Sequence, residues 1–215
     1  MRDILLDGLP ILDLLEITTN TSLVASLTNC NQSSVSRLHR CMNDKLGLDF
    51  RKNRGQYRAH ANHAVWGSLR QAAQVLRFRR CQLQWQDNCW NDPAFQAMGS
   101  CSPLPHSCHE KDRTLALVRE RVLDLAVIHG LDALPPGWED SGQPFPFGDL
   151  VAIGLVRHSI QISGQPVQAS CSSTNLDAVV LLQENLEEPA VQALIAQIRE
   201  AYQLASQQLP DLAWL

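Results

Sequence analysis

Long apolar runs are missing from this 215-residue chain; nothing in it approaches the about 20 consecutive apolar residues that cross a bilayer. The opening residues Met1, Arg2, Asp3, Ile4, Leu5, Leu6 and Asp7 break any signal-like apolar stretch with acids, so a soluble cytoplasmic protein is expected. Low-complexity tracts are also missing. Glycine and proline, 11 of each, stay at their average share, which excludes collagen-like and wholly disordered chains. No paired spacing joins the seven cysteines at 30, 41, 81, 89, 101, 108 and 171, and an odd, scattered set fits a reducing compartment rather than a disulfide framework. The Asn-x-Ser sequons at Asn20 and Asn31 are then coincidental. Phosphate-binding and dinucleotide loops are lacking too. What remains is a globular chain, 45% hydrophobic and 19% charged, sized for one large domain or two small ones.

The net charge of -4 hides a division. Residues 1–80 carry 12 Lys and Arg against 6 Asp and Glu, whereas residues 81–215 carry 6 against 16. Within 32–80 the imbalance sharpens to 11 basic residues against Asp44 and Asp49 alone. Such asymmetry points to a polyanion, nucleic acid above all, although a basic solvated face has the same composition.

Helical spacing places a first helix over Leu9 to Ile17 and a second over Ser22 to Thr28, with Thr21 or Ser22 as its cap. After a turn at Asn29, Cys30 and Asn31, a third helix runs from Gln32 to about Lys45 and closes at Leu46 and Gly47. Three helices with a tight turn between the last two outline a helix-turn-helix. At about 100° per residue, Val35, Leu38 and Met42 share one stripe of the third helix, while Ser33, Ser36, Arg37 and Arg40 lie opposite. Short hydroxyls allow close approach to a major groove, and arginine can fork onto guanine or a phosphate.

Two short strands, Leu48 to Arg51 and Tyr57 to Ala59, are expected around a tip of Lys52, Asn53, Arg54, Gly55 and Gln56. Lys52, Arg54 and Arg58 make this hairpin a cationic wing that can reach phosphates. A long helix follows from Asn62 to Arg77, with Val65, Leu69, Ala72 and Leu76 at intervals of four, three and four. That seam suits a core helix and a dimer interface equally.

The run from Gln32 to Arg37 with Lys45, Leu46, Gly47, Phe50, the basic hairpin and the next helix resembles, over about 60 residues, the N-terminal domain of LysR-type transcriptional regulators. The resemblance implies a winged helix-turn-helix, with Gln32, Ser33, Ser34, Ser36, Arg37, Arg40, Lys52, Arg54 and Arg58 toward double-stranded DNA. It also implies a linker helix that dimerises through Val65, Leu69, Ala72 and Leu76. The aromatic usual in the family's second helix is absent between Thr21 and Ala25, and one residue is missing before Phe50.

The second half resembles the same family's effector domain, cut down. A strand is expected at Cys81 to Trp85, then a helix with Leu115, Leu117 and Val118 leading into a buried strand at Val122 to Ile128. Further strands are expected at Gly148 to Val156 and Asp177 to Leu182, and Pro189 opens a helix with Leu194, Ile195, Ile198 and Tyr202 on one face. Only about twenty polar residues, Arg157 to Leu176, stand where the family inserts a second lobe. The inducer cleft would lack a wall, so response to a small-molecule inducer is doubtful. The expected fold is therefore mixed α and α/β: a winged domain at 1–61, a linker helix at 62–80 and a truncated α/β effector-like lobe at 81–215, half of a periplasmic-binding-protein-like domain.

The group Cys101, His106, Cys108 and His109 has zinc-ligand chemistry, but its C-x4-H-x-C-H spacing matches no usual structural site. The same loop offers Cys108 beside His106 or His109 without an orienting acid or oxyanion loop, so no enzyme, cofactor or metal is expected. Cys41 and the tryptophans Trp85, Trp90 and Trp138 read as packing residues. The expectation is a homodimeric or higher-order sequence-specific DNA-binding regulator. Its alternatives are an oligomerisation or protein-interaction module that has lost operator recognition and a thiol- or metal-responsive sensor built on the 101–109 loop.

Overall fold

The computed structural model describes residues 8–87, 104, 111–131, 143–158, 175–206 and 212–214. The chain forms two units, each described by itself. Of the described residues, the first comprises 8–82 with a short return at 120–122; the second holds 83–87, 104, 111–119 and the described residues from 123 onward.

In the first unit, α1 (Leu9–Thr18) is apolar almost all round and correspondingly buried on every side, from Leu9 to Ile17. Gly8 precedes it because its Cα lies against the Met42 thioether, where any Cβ would collide. Asn20 caps α2 (Thr21–Leu27) by accepting from the amides of Ser22 and Leu23, so the cap falls one residue before the Thr21 expected from the sequence. Asn31 likewise caps α3 (Gln32–Leu46), and both sequon asparagines thus serve as helix caps. α3 ends at Gly47 in the left-handed conformation that a side chain resists.

The hairpin is displaced from its expected register. Its strands are β1 (Arg51–Asn53) and β2 (Gln56–Arg58), pairing Arg51 with Arg58, Lys52 with Tyr57 and Asn53 with Gln56. Only Arg54 and Gly55 form the tip, both at positive φ (49° and 86°), the geometry a two-residue hairpin turn needs to match strand twist. Leu48 and Phe50, expected in a strand, are instead buried in the helical core. α4 (His63–Arg80) buries Trp66, Arg70, Ala73, Gln74 and Phe78, a stripe different from the expected seam.

The second unit is a mixed sheet in the order β3–β4–β7–β6–β5, with β8 beside β6. Its strands are β3 (Trp85–Asp87), β4 (Leu125–Leu131), β5 (Phe145–Phe147), β6 (Leu150–His158), β7 (Asn175–Leu182) and β8 (Leu212–Trp214). β3 and β4 run parallel; every other pair is antiparallel. Leu125 to Ile128, Leu150 to Leu155 and Leu176 to Leu182 are buried without alternation, which requires cover on both sheet faces. Of the helices α5 (Lys111–Arg119) and α6 (Pro189–Ser206), the second buries Val191, Leu194, Ile195, Ile198 and Tyr202.

Three expectations change here. The strand proposed at Cys81 to Trp85 starts at Trp85, because α4 continues to Arg80 and Cys81 caps it in the left-handed region. The β5–β6 hairpin, turning at Gly148 (φ 70°) and Asp149, was not read from the sequence. The ends of the expected polar loop belong to strands, since β6 continues to His158 and β7 begins at Asn175. Among the described residues no helix is long and apolar enough to cross a membrane.

Candidate nucleic-acid interface

The third helix is seated through Val35, Leu38 and Met42, each at most 8% exposed. Burying each is worth about 1.5–3 kcal/mol, which fixes the helix rotation and hence its outward face. On that face Ser33, Arg37 and Arg40 are exposed and Ser34 and Ser36 half-buried. Several of these polar groups already serve the local backbone. Ser33 Oγ donates to Asn31 Oδ1 at 2.7 Å, and Asn31 accepts the Ser34 amide at 2.8 Å. Gln32 Nε2 donates to Thr21 Oγ1 at 2.9 Å, pinning the start of α3 to α2, while Arg40 Nε donates to Ser36 O at 3.3 Å.

Side chains also fix the hairpin against α3. His39 Nε2–H donates to Phe50 O at 3.0 Å, and Asn43 Oδ1 accepts the Phe50 amide. The rings of His39, Phe50, Tyr57 and Trp66 form one cluster with centroids 5.5 to 6.1 Å apart. Asn62 Nδ2 donates to Leu46 O at 2.7 Å, closing the end of α3 onto the start of α4.

The three wing cations have different surroundings. Arg54 stands at the tip, exposed. Lys52 folds back, its Nζ 2.8 Å from Thr19 O and 5.5 Å from the centre of the Tyr57 ring. Arg58 is exposed at the end of β2, on the wall of a cavity. Of the expected dimer residues, Val65 (46% exposed) and Ala72 are open and Leu69 and Leu76 half-buried; Val75, also 46% exposed, widens the apolar strip. The cysteine and histidine loop at Cys101, His106, Cys108 and His109 lies outside the described residues, as do Trp90 and Trp138. Trp85 is buried. Among the described residues no group of three or more His, Cys, Asp or Glu has the arrangement to hold a metal ion.

Two charged clusters escaped the sequence reading. In the first unit Arg70 is buried between Asp13 and Glu16 at 2.9 and 3.0 Å, with Glu120 at 3.4 Å and the guanidinium stacked 4.5 Å from the Trp66 ring. Burial works to lower the Arg70 pKa, but the carboxylates outweigh it and raise it above its ordinary value. The available signal was two acids three residues apart inside an otherwise apolar helix.

In the second unit His129 Nε2 lies 2.6 Å from Asp87 Oδ1 and its Nδ1 2.9 Å from Asp177 Oδ2, with Tyr202 Oη 3.3 Å from the ring. Asp177 also accepts the Gly130 amide at 3.1 Å. Burial would lower the His129 pKa, yet hydrogen bonds and charges from Asp177 and Asp87 push it up to about 10. The ring is an imidazolium held by two carboxylates. No spacing in the sequence joins positions 87, 129 and 177.

No family model and no curated protein matches this chain. Solved structures do resemble it. A full-length OxyR variant from Pseudomonas aeruginosa is similar over 95% of this chain and 96% of that one, at 11% identity and a TM-score of 0.47. Full-length LysG from Corynebacterium glutamicum with bound arginine covers 95% and 99%, at 11% identity and 0.40. CbnR in complex with its target DNA covers 90% and 98%, at 8% identity and 0.34. The solved structures that the chain resembles over nearly all its length are LysR-type transcription regulators.

Proposed function

We propose that the chain is a DNA-binding transcription regulator of LysR type whose first unit is a winged helix-turn-helix. The observation that carries this reading is the rotation of α3. Val35, Leu38 and Met42 are spent on the core, which leaves Arg37 and Arg40 outward on a helix of short polar side chains, in the same unit as a cationic hairpin tip. In this reading α3 enters the major groove, Arg37 and Ser36 meet base edges, and the wing meets phosphates.

Selection of bound sequences from a random duplex pool tests it, with a defined site as the result expected and an unenriched pool as the one that rejects operator recognition. Arg37→Ala and Ser36→Ala then reduce preference for the selected site more than general DNA affinity, one good base contact being worth about 1–3 kcal/mol. Equal losses on specific and random duplexes in anisotropy titrations would reduce both residues to positioning groups. Arg54→Ala lowers the log-log salt slope by about one unit if it meets one phosphate. An unchanged slope would remove the wing tip from the interface.

Two half-sites about one DNA turn apart, roughly 34 Å, call for a two-fold dimer. The strip of Val65, Leu69, Ala72, Val75 and Leu76 supplies an apolar face that α4 does not use for its own core. Leu69→Glu with Leu76→Glu therefore yields monomers with much weaker DNA binding, because charges placed in such a seam have no partners. A parent already monomeric in light scattering at micromolar concentration contradicts the dimer. Between the end of β6 at His158 and the start of β7 at Asn175 the chain has too few residues for a second lobe. DNA affinity accordingly needs no inducer, and a metabolite that shifts it tenfold would reverse that conclusion.

A further inference from the structure

Gln32 opens α3 and Thr21 opens α2, and the two helix starts are joined side chain to side chain, Gln32 Nε2 donating to Thr21 Oγ1 at 2.9 Å. Both starts are fixed. Asn20 accepts from the amides of Ser22 and Leu23 around Thr21, Lys52 Nζ holds Thr19 O at 2.8 Å, and Asn31 caps α3 immediately before Gln32. Thr21 is β-branched and has few rotamers of its own, so its hydroxyl is a stiff post. Gln32 is long and exposed, and without that post its carboxamide would turn freely.

Spending one N–H on Thr21 leaves Gln32 its amide oxygen as acceptor and its second N–H as donor. Among the described residues Gln32 makes no other hydrogen bond. The other carboxamide of α3, on Asn43, is already committed to the Phe50 amide. An acceptor and a donor on one planar group match the N6 amino group and N7 on the major-groove edge of adenine, a combination that no other base presents there. We propose that Thr21 is a positioning residue for base recognition: it holds the Gln32 carboxamide outward, and Gln32 thereby selects adenine at one position of each half-site. This role rests on the reading of α3 as the helix that enters the major groove, and it adds a residue of α2 to those that set the sequence read.

Selection from a random duplex pool by the parent, Thr21→Val, Thr21→Ser and Gln32→Ala tests it. The parent's pool carries adenine at one position per half-site, favoured about tenfold over the other bases, within what one good bidentate contact supplies. Thr21→Val keeps the side-chain shape without the hydroxyl; its preference at that position falls below about threefold, while the other positions and the affinity for random duplex stay as in the parent. Thr21→Ser restores the preference and Gln32→Ala abolishes it. Adding Thr21→Val to Gln32→Ala changes nothing further, as expected of two residues acting through one contact. Thr21→Ala gives the same result as Thr21→Val and replaces it should the valine variant not fold. An enriched parent pool whose preferences Thr21→Val shares at every position overturns the role of Thr21 and leaves operator recognition standing. A loss spread evenly over all positions, or a Gln32-dependent base other than adenine, does the same. A parent pool without enrichment overturns both.

Discussion

Arg70→Met lowers the stability of the first unit by about 3–5 kcal/mol, the cost of removing one partner from a buried ion pair and stranding the other. Asp13 and Glu16 are each 1% exposed beside a guanidinium that is 2% exposed, so neither carboxylate can turn to water when the arginine goes. The comparison is Arg119, paired with Asp149 at 3.0 Å with both side chains about half exposed. Solvent screens that pair, and Arg119→Met costs no more than about 1 kcal/mol. Amide hydrogen exchange in α1 and α4 reads the first effect separately from the sheet. Replacing the group together, Asp13→Leu, Glu16→Leu and Arg70→Met, recovers most of the loss, since the desolvation penalty disappears with the charges. If Arg70→Met alone costs under about 1 kcal/mol, the cluster is not holding α1 to α4.

His129→Gln destabilises the second unit, and the loss depends on pH with a defined sign. The folded-state pKa of about 10 lies above the ordinary 6.5, so the folded protein holds a proton that the unfolded chain has released between those values. The contribution of His129 is complete below pH 6.5, declines by up to about 1.4 kcal/mol per pH unit above it, and is gone once pH passes about 10. Urea unfolding of the parent and of His129→Gln at a series of pH values measures the difference directly, because every other group that titrates in this window is common to both proteins. A difference that stays constant from pH 6.5 to 9.5 would mean that His129 is not held as an imidazolium by Asp87 and Asp177.

The elements that could be read from the sequence are those whose signal is local. The cap and apolar stripe of α3, the basic hairpin after it, and the proline that opens α6 each act within a few residues, and each appears in the structure. Hairpin register was less legible, because Leu48 and Phe50 look like alternating strand residues although the core takes them. The seam on α4 was legible as a pattern, but its use was not: Val65, Leu69, Ala72 and Leu76 repeat as a core would, and only folding revealed that Trp66, Arg70, Ala73 and Phe78 fill that role.

The sequence by itself determined the helices of the first unit, the concentration of positive charge in it, and the face of α3 turned away from the core. These follow from periodicity of 3.6 residues and from charge counting, which need no knowledge of distant contacts. Tertiary structure alone decided the charged groups. Arg70 meets acids 54 and 57 positions earlier and another 50 positions later, and His129 joins Asp87 and Asp177, 42 and 48 residues away. A buried charge is tolerated only where folding delivers its partner, and no local pattern encodes a partner that far along the chain.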